Sequence, residues 1–394
     1  MQADRGTLIA LLYSSNLQGE YEHCGCPEDP LGGLVRRATL TDRARVESDG
    51  VLMVDAGDLL LPPPLHGSRL VLAEQSEIER RARLILQSYA RMGAHAVLPG
   101  EGDLQVGPVR LKRMMKSLRI PVIASNLIDR DGSWLFDRDR LITIAGVSIG
   151  IFGVVQPIAE DQALWQKWRL KASDPATAAR QEVASLKARG ATMIVALLHL
   201  GQARASRQFL EEVPGIDWAV QGHSGSRLGN PEIIGGARVV EASSLGTEAG
   251  RLDIHLVDRG GKTFSDRSER AQVLGIMDDH KRQLDELARR AVEDKTEQLR
   301  EYYKLKREGL TAAIARETEL ARKLPTVIRG NWYENRIIPL DESIPDHPAI
   351  AALVAVYNRE NARRIAAGLT AGIALRDPEA QVVTTPAPAQ GSSM

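Results

Sequence analysis

The sequence predicts a layered α/β domain, with mixed β-sheets flanked by helices, followed by a long charged α-helical segment. Three observations carry this. From Thr7 to about Leu256, apolar runs of strand length alternate with amphipathic stretches of helical period. Two of the runs, 149–155 and 193–198, are apolar without alternation, as strands buried on both faces are. Beyond residue 265 the chain becomes dense in Arg, Glu, Lys and Asp, and its apolar residues recur at helical spacing.

Strands are predicted at Leu8–Tyr13, Val51–Val54, Ala96–Leu98, Pro121–Ala124, Val147–Val155, Met193–Leu198, Trp218–Val220, Arg238–Glu241 and Arg251–Leu256. Amphipathic helices are predicted at Leu34–Glu47, Glu74–Met92, Pro108–Leu118, Asp174–Arg189 and Arg204–Val213. Several late strands follow one another closely, so part of the sheet is antiparallel or folded into two layers. From 268 to 323, Leu284, Leu287, Ala288, Ala291, Val292, Leu299, Tyr302, Tyr303, Leu310 and Ile314 recur at helical spacing, and no proline falls between Pro231 and Pro325. This predicts one long helix, or a hairpin of two helices broken near Gly309, that packs on the first domain or pairs with another chain. Residues 330–345 read as extended. A last helix follows, with Pro348 in its first turn and Ile350, Leu353, Val354 and Tyr357 on one face. The tail from Arg376 has a disordered composition of Pro, Ala, Gln, Gly and Ser. The expected units are therefore 1–262, 263–325, 326–372 and 373–394.

Composition narrows the function. The 394 residues suffice for one large domain and an appendage, and 43% hydrophobic content supports a sizeable core. Lys plus Arg equals Asp plus Glu at 51 each, so no global field points to nucleic acid or an anionic membrane. Aromatic content of 4% argues against base-stacking platforms. No apolar stretch approaches the roughly 20 residues that span a bilayer. Met1–Gly6 has no apolar signal core, so the protein is either cytosolic or written without a removed signal.

Three apolar runs end in metal-type ligands. Val51–Val54 leads to Asp55-Ala56-Gly57-Asp58, Ile194–Leu198 to His199, and Trp218–Gln221 to Gly222-His223. The ends of buried parallel strands converge on one edge of an α/β sheet, where ligands bind. Aspartate and neutral imidazole placed there suit Zn²⁺, Mn²⁺ or Fe²⁺. The two cysteines, Cys24 and Cys26, stand in His23-Cys24-Gly25-Cys26-Pro27. A disulfide across one residue closes too small a loop to stabilise a fold and would be strained. The pair is either two loop thiols in a turn or a metal-binding or redox site.

The order of these motifs resembles the calcineurin-like metallophosphoesterases, in their 5′-nucleotidase branch, over roughly residues 7–256. The resemblance rests on Leu17 and Gly19 after the first strand, Gly32-Gly33-Leu34 with Arg36, and Gly57-Asp58. It continues through Gly93–Val97 leading to Gly100, Ala124–Leu127, Ile149–Gly153, Leu198–Gly201, Gly222-His223, and Leu245-Gly246 with Gly250–Leu252. It implies a two-metal hydrolase site, and this chain departs from that pattern. The aspartate and histidine expected for metal one are Asn16 and Gln18. Asp58 matches the bridging carboxylate. In the Gly-Asn-His-Glu motif, Glu101 replaces the asparagine and Gly102 the catalytic histidine. His199 is present; of the Gly-His-x-His pair, His223 remains and Gly225 replaces the second histidine.

Sorted by metal, Asp58, Glu101, His199 and His223 form a two-carboxylate, two-histidine set, whereas metal one keeps neutral amides and a share of Asp58. One divalent transition metal (Mn, Zn or Fe) is therefore expected. The two-metal clamp and the proton donor would be lost, so phosphatase activity should be weak or altered. Asp103 is then the candidate base, and Arg36 or Arg37 the candidate anion holder. The Cys-Gly-Cys loop, with His23, could fold over the vacated position with thiolates for another metal or a redox couple. The charged helix does not resemble the nucleobase-stacking C-terminal domain of 5′-nucleotidases. Thiosulfohydrolases, which act on sulfur carried by a partner protein, share the catalytic domain. The Cys-Gly-Cys loop, with Trp332-Tyr333, Ile338-Pro339 and Ile344-Pro345, also resembles exported bacterial proteins associated with multihaem cytochromes, which implies the cell envelope. No Cys-x-x-Cys-His haem site is present. Two functions follow: a divergent hydrolase acting on a small anionic substrate, or a non-hydrolytic redox accessory protein with a protein partner. A third reading is an interaction module that docks or oligomerises through 268–323.

Overall fold

The computed structural model describes residues 6–24, 30–63, 75–157, 162–293, 297–324 and 329–368. In chain order the elements begin with β1 (Thr7–Ser14), α1 (Leu34–Glu47), β2 (Gly50–Asp55), α2 (Gln75–Arg91), β3 (Ala96–Val97), α3 (Glu101–Leu104) and α4 (Pro108–Ser117). Next come β4 (Leu127–Ile128), β5 (Asp139–Ile144), β6 (Val147–Val155), α5 (Gln162–Trp168), β7 (Lys171–Ala172), α6 (Pro175–Ala188), β8 (Met193–His199) and α7 (Ala203–Glu212). The remainder is β9 (Trp218–Gln221), β10 (Glu232–Ile234), β11 (Ala237–Val240), β12 (Glu248–Leu256), β13 (Ser265–Asp266), α8 (Ser268–Glu293), α9 (Glu297–Lys323), β14 (Trp332–Pro339) and α10 (Pro348–Ala366).

Two six-stranded mixed sheets are stacked face to face, in the orders β13-β14-β12-β1-β2-β3 and β10-β11-β9-β8-β6-β5. Strands β1, β2 and β3 run parallel, as do β6, β8, β9 and β11, while β12, β5 and β10 are antiparallel to their neighbours. The side-chain period of a strand divides β8 between two cores. Val195 and Leu197 face the other sheet, packed with Leu11, Leu52, Ile149 and Trp218. Ile194, Ala196 and Leu198 lie with Val183 and Leu186 of α6 and Phe209 and Leu210 of α7. Apolar residues at every position of 193–198 thus follow from cover on both faces, and each fully buried large side chain contributes roughly 1.5–3 kcal/mol.

Three expectations need correction. Pro121–Ala124 is not a strand: Val122 bridges Val97 and Ile123 bridges Asp137, so successive residues bond different partners and no ladder extends. The charged segment is a hairpin, but Gly309 lies inside α9 with open space around its missing Cβ. An exposed helical glycine costs only about 1 kcal/mol, too little to break a helix of this length. The connection falls instead at 294–296, outside the described residues. Third, the segment expected as a separate unit at 326–372 joins the first sheet, because β14 pairs with β12 from Glu248↔Pro339 to His255↔Trp332. The tail at 373–394 lies outside the described residues.

Helix α10 then crosses α1 and α2. Its Tyr357 hydroxyl donates to the buried Glu77 at 2.6 Å, and the ring meets Tyr21 edge-on at 5.2 Å. Among the described residues, no helix is long and apolar enough to cross a membrane.

Candidate metal centre

The carboxyl ends of β1, β2, β3, β8, β9 and β11 open on one edge, where the connecting loops meet. After β2 the chain turns through Gly57 at φ +102° and Asp58 at φ +54°. Around the same edge Asn16 (φ +54°), Gln18 (φ +56°), His223 (φ +69°) and Leu245 (φ +64°) also take the left-handed conformation, which non-glycine residues rarely hold. Such strain persists where surrounding bonds over-determine the backbone. Here Asn16 N–H donates to Gly57 O (2.8 Å), Gln18 N–H to Asp58 O (2.7 Å) and Leu245 N–H to Asn16 O (2.8 Å).

These loops bring Asp58, Glu101, His199 and His223 together, each offering one donor atom within 4.8 Å of the others. Asp58 is fully buried; its Oδ1 accepts from Gly102 N–H at 2.8 Å, and its Oδ2 has no hydrogen-bond partner. His199 Nδ1 lies 2.8 Å from Ala56 O. A carbonyl can only accept, so Nδ1 carries the proton and Nε2 faces the cluster, as carbonyl-anchored metal-binding histidines are arranged. Nε2 stands 2.7 Å from Glu101 Oε2 and 3.6 Å from Asp58 Oδ2. His223 Nδ1 lies 2.6 Å from Glu101 Oε1 and 3.3 Å from His199 Nε2. Glu101 Oε1 has that close neighbour without the alignment of a hydrogen bond.

The cluster requires positive charge. Burial, and then the Glu101 carboxylate, push Asp58 well above the usual range. Burial also opposes ionisation of Glu101, but His199 and His223 outweigh it and hold that carboxyl well below its usual range. For His199, burial disfavours the cation, yet Glu101 and Asp58 overcome this and push it up to about 10. The protein alone sets the single positive charge of the His199 imidazolium beside two buried carboxyl groups. A divalent cation among two carboxylates and two neutral imidazoles would neutralise both carboxylates and use the orphaned Asp58 oxygen, so the donor set fits one ion.

The other residues singled out in the sequence fall elsewhere. Asp103, expected as a base, is fully buried, with Oδ1 accepting from Leu60 N–H (2.8 Å) and Oδ2 from Gly100 N–H (2.9 Å). Burial, partly offset by those amides, raises it to about 6. With both oxygens occupied it secures the Gly100–Glu101 turn to the Asp58 loop. Arg36, expected to hold an anion, donates instead to the carbonyls of Pro30 and Leu340, with Asp346 at 4.0 Å. Arg37 donates to Glu248 O at 2.8 Å. Both guanidiniums tie α1 to neighbouring segments. Cys24 meets Leu31, its Sγ accepting from Leu31 N–H at 3.2 Å, while exposed His23 lies 3.1 Å from Cys24 O through Nδ1. Neither belongs to the four-residue cluster, and Cys26 lies outside the described residues.

Glu241 was missed as a functional residue, although its place at the end of an apolar run matches the pattern of His199. It is fully buried and accepts from Gln221 Nε2 (2.6 Å) and Ser224 Oγ (2.7 Å), which anchors the loop carrying His223. Burial, partly offset by Ser224, Gln221 and the Ser226 and Gly225 amides, raises its carboxyl to about 7. The folded state therefore binds this proton more tightly than the unfolded chain, so stability falls as pH rises between about 4.5 and 7. Relative to Glu241→Gln, urea unfolding should show wild type losing on the order of 3 kcal/mol across that window. A difference independent of pH would contradict this.

No family model matches the chain. Over 218 residues it is 26% identical to the 2′,3′-cyclic-nucleotide 2′-phosphodiesterase/3′-nucleotidase of Yersinia enterocolitica, a match covering 49% of this chain and 32% of that protein. Over 262 residues it is 24% identical to the 5′-nucleotidase of Rattus norvegicus, covering 60% and 43%. Its fold superposes on the 5′-nucleotidase precursor of Thermus thermophilus with a TM-score of 0.59 at 18% identity, covering 91% of this chain and 60% of that one. The chain spans about a third of the Yersinia protein's length. In fold and sequence the chain is similar to the calcineurin-like metallophosphoesterases of the 5′-nucleotidase-like branch. Its similarity is thus to hydrolases of phosphoesters.

Proposed function

We propose that this protein is a hydrolase of phosphoester-type bonds that works with a single divalent cation held by Asp58, Glu101, His199 and His223. The observation that carries the proposal is the convergence of these donors, one of them an orphaned buried carboxylate oxygen, at the sheet edge. A bound ion of this kind supplies a Lewis acid against an ester oxygen. Asp58 and Glu101 would neutralise its charge, and the Ala56 carbonyl keeps His199 in the tautomer that could ligate it.

The chain supplies no proton to the leaving group from the position that resembles the family's catalytic histidine. That position is Gly102, and a Cβ there would collide with the Leu61 carbonyl. Asp103 has both oxygens occupied by backbone donors. General acid assistance is typically worth about 10²–10⁴ in rate, so substrates whose leaving group needs no proton are favoured. Aryl phosphates with acidic phenols should turn over with added Mn²⁺, and the rate should fall steeply as the phenol becomes more basic. Steady-state rates across such a series test this. A flat dependence would reveal a proton donor, and absence of turnover in metal-loaded protein would overturn the hydrolase reading.

A further inference from the structure

We infer that Asn16 is an oxyanion-binding residue, which donates from Nδ2 to an oxygen of a tetrahedral anion such as phosphate beside the four-donor cluster. This deepens the proposed function and rests on it. Asn16 follows β1 with only 1% of its surface exposed. Its backbone is fixed on both sides, by Gly57 O at 2.8 Å and by the Leu245 amide at 2.8 Å. Its side-chain Oδ1 accepts from the backbone N–H of His223 at 2.8 Å. That bond settles the amide's orientation, because an NH₂ group cannot accept from an N–H.

Nδ2 is therefore the free branch, and it is buried with no hydrogen-bond partner in the protein. Buried donors are rarely left unmade, because an unpaired amide forfeits its hydration. Asn16 links Gly57, through its backbone N–H, to His223, through its side chain; Gly57 precedes Asp58, and His223 is itself one of the four donors. The lone pair of an amide NH₂ is delocalised into its carbonyl and does not bind a cation, so the group takes a hydrogen-bond acceptor such as an anion's oxygen. No further carboxylate or imidazole joins the cluster among the described residues. A second cation does not fit this flank; a neutral donor stands there instead. An anion with one oxygen toward the cluster and another on Nδ2 would use both features.

The test is calorimetric binding of inorganic phosphate, and separately sulfate, to metal-loaded protein, with metal content measured alongside. Asn16→Ala should keep about one metal per chain and bind phosphate roughly ten- to a hundredfold more weakly, the usual worth of a hydrogen bond to a charged group. Asn16→Asp keeps the acceptor for His223 N–H and so preserves the loop, but replaces the donor by a carboxylate. With about one metal per chain retained, it should weaken phosphate at least as much, because a carboxylate repels the anion. Sulfate weakened in parallel would show that the site reads the tetrahedral anion; phosphate alone affected would assign it to phosphate. Unchanged affinity for both anions in either metal-loaded variant would overturn the role of Asn16 while leaving the metal centre intact. Absence of metal from wild type would instead overturn the reading on which the inference rests.

Discussion

Replacing His199 by alanine should abolish metal retention and destabilise the metal-free protein by about 3–5 kcal/mol at pH 7, the cost of leaving buried charge without its partner. Glu101 loses the imidazole at 2.7 Å and Asp58 the one at 3.6 Å, and both carboxylates are buried. Urea unfolding gives the stability and elemental analysis the metal content. The destabilisation should shrink as pH falls, because protonating either carboxylate removes the unpaired charge. An alanine variant that keeps both its metal and its stability would show that His199 neither ligates nor balances the cluster.

Restoring a histidine at Gly102 should fail to create an efficient phosphatase and should destabilise the protein by about 1–3 kcal/mol or more, the scale of overpacking in a close-fitted interior. The obstacle is backbone: a Cβ at 102 would overlap the Leu61 carbonyl and approach Asp58 Oδ1 to 2.9 Å. Gly102 N–H also donates to that same Asp58 oxygen at 2.8 Å, so a shift here moves a ligand. Gly102→Ala should already incur most of the penalty. Thermal unfolding beside aryl phosphate turnover checks this. A histidine variant of native stability with a large gain in rate would contradict the close packing.

Much of the fold was legible because its determinants are local and periodic. The apolar run 193–198 marks a strand covered on both faces, and β8 occupies Met193–His199 with its residues divided between two cores. Helix α1 falls on Leu34–Glu47, the span its pattern predicts. Pairings between distant segments were not legible. Residues 330–345 read as extended, but the place of Trp332–Pro339 in the first sheet as β14 depends on pairing with β12 some 80 residues earlier (Glu248↔Pro339 to His255↔Trp332).

The four clustered donors stood out because each ends an apolar run or occupies a recognisable motif. Which way a side chain turns was not visible. Arg36 follows a glycine pair in sequence, yet its guanidinium is taken up by the Pro30 and Leu340 carbonyls. Asp103 sits two residues from Glu101 but is taken up by backbone amides. Asn16 drew notice as a missing ligand, whereas its bond to His223 N–H gives it a bridging role that sequence spacing does not reveal.

The proposed centre holds one cation on four donors in place of a two-metal clamp. Elemental analysis of protein purified without chelator, supported by Mn²⁺ titration calorimetry of the stripped chain, tests it most directly. A stoichiometry near one per chain is expected; two tightly held ions, or none after reconstitution, would contradict the single-ion centre.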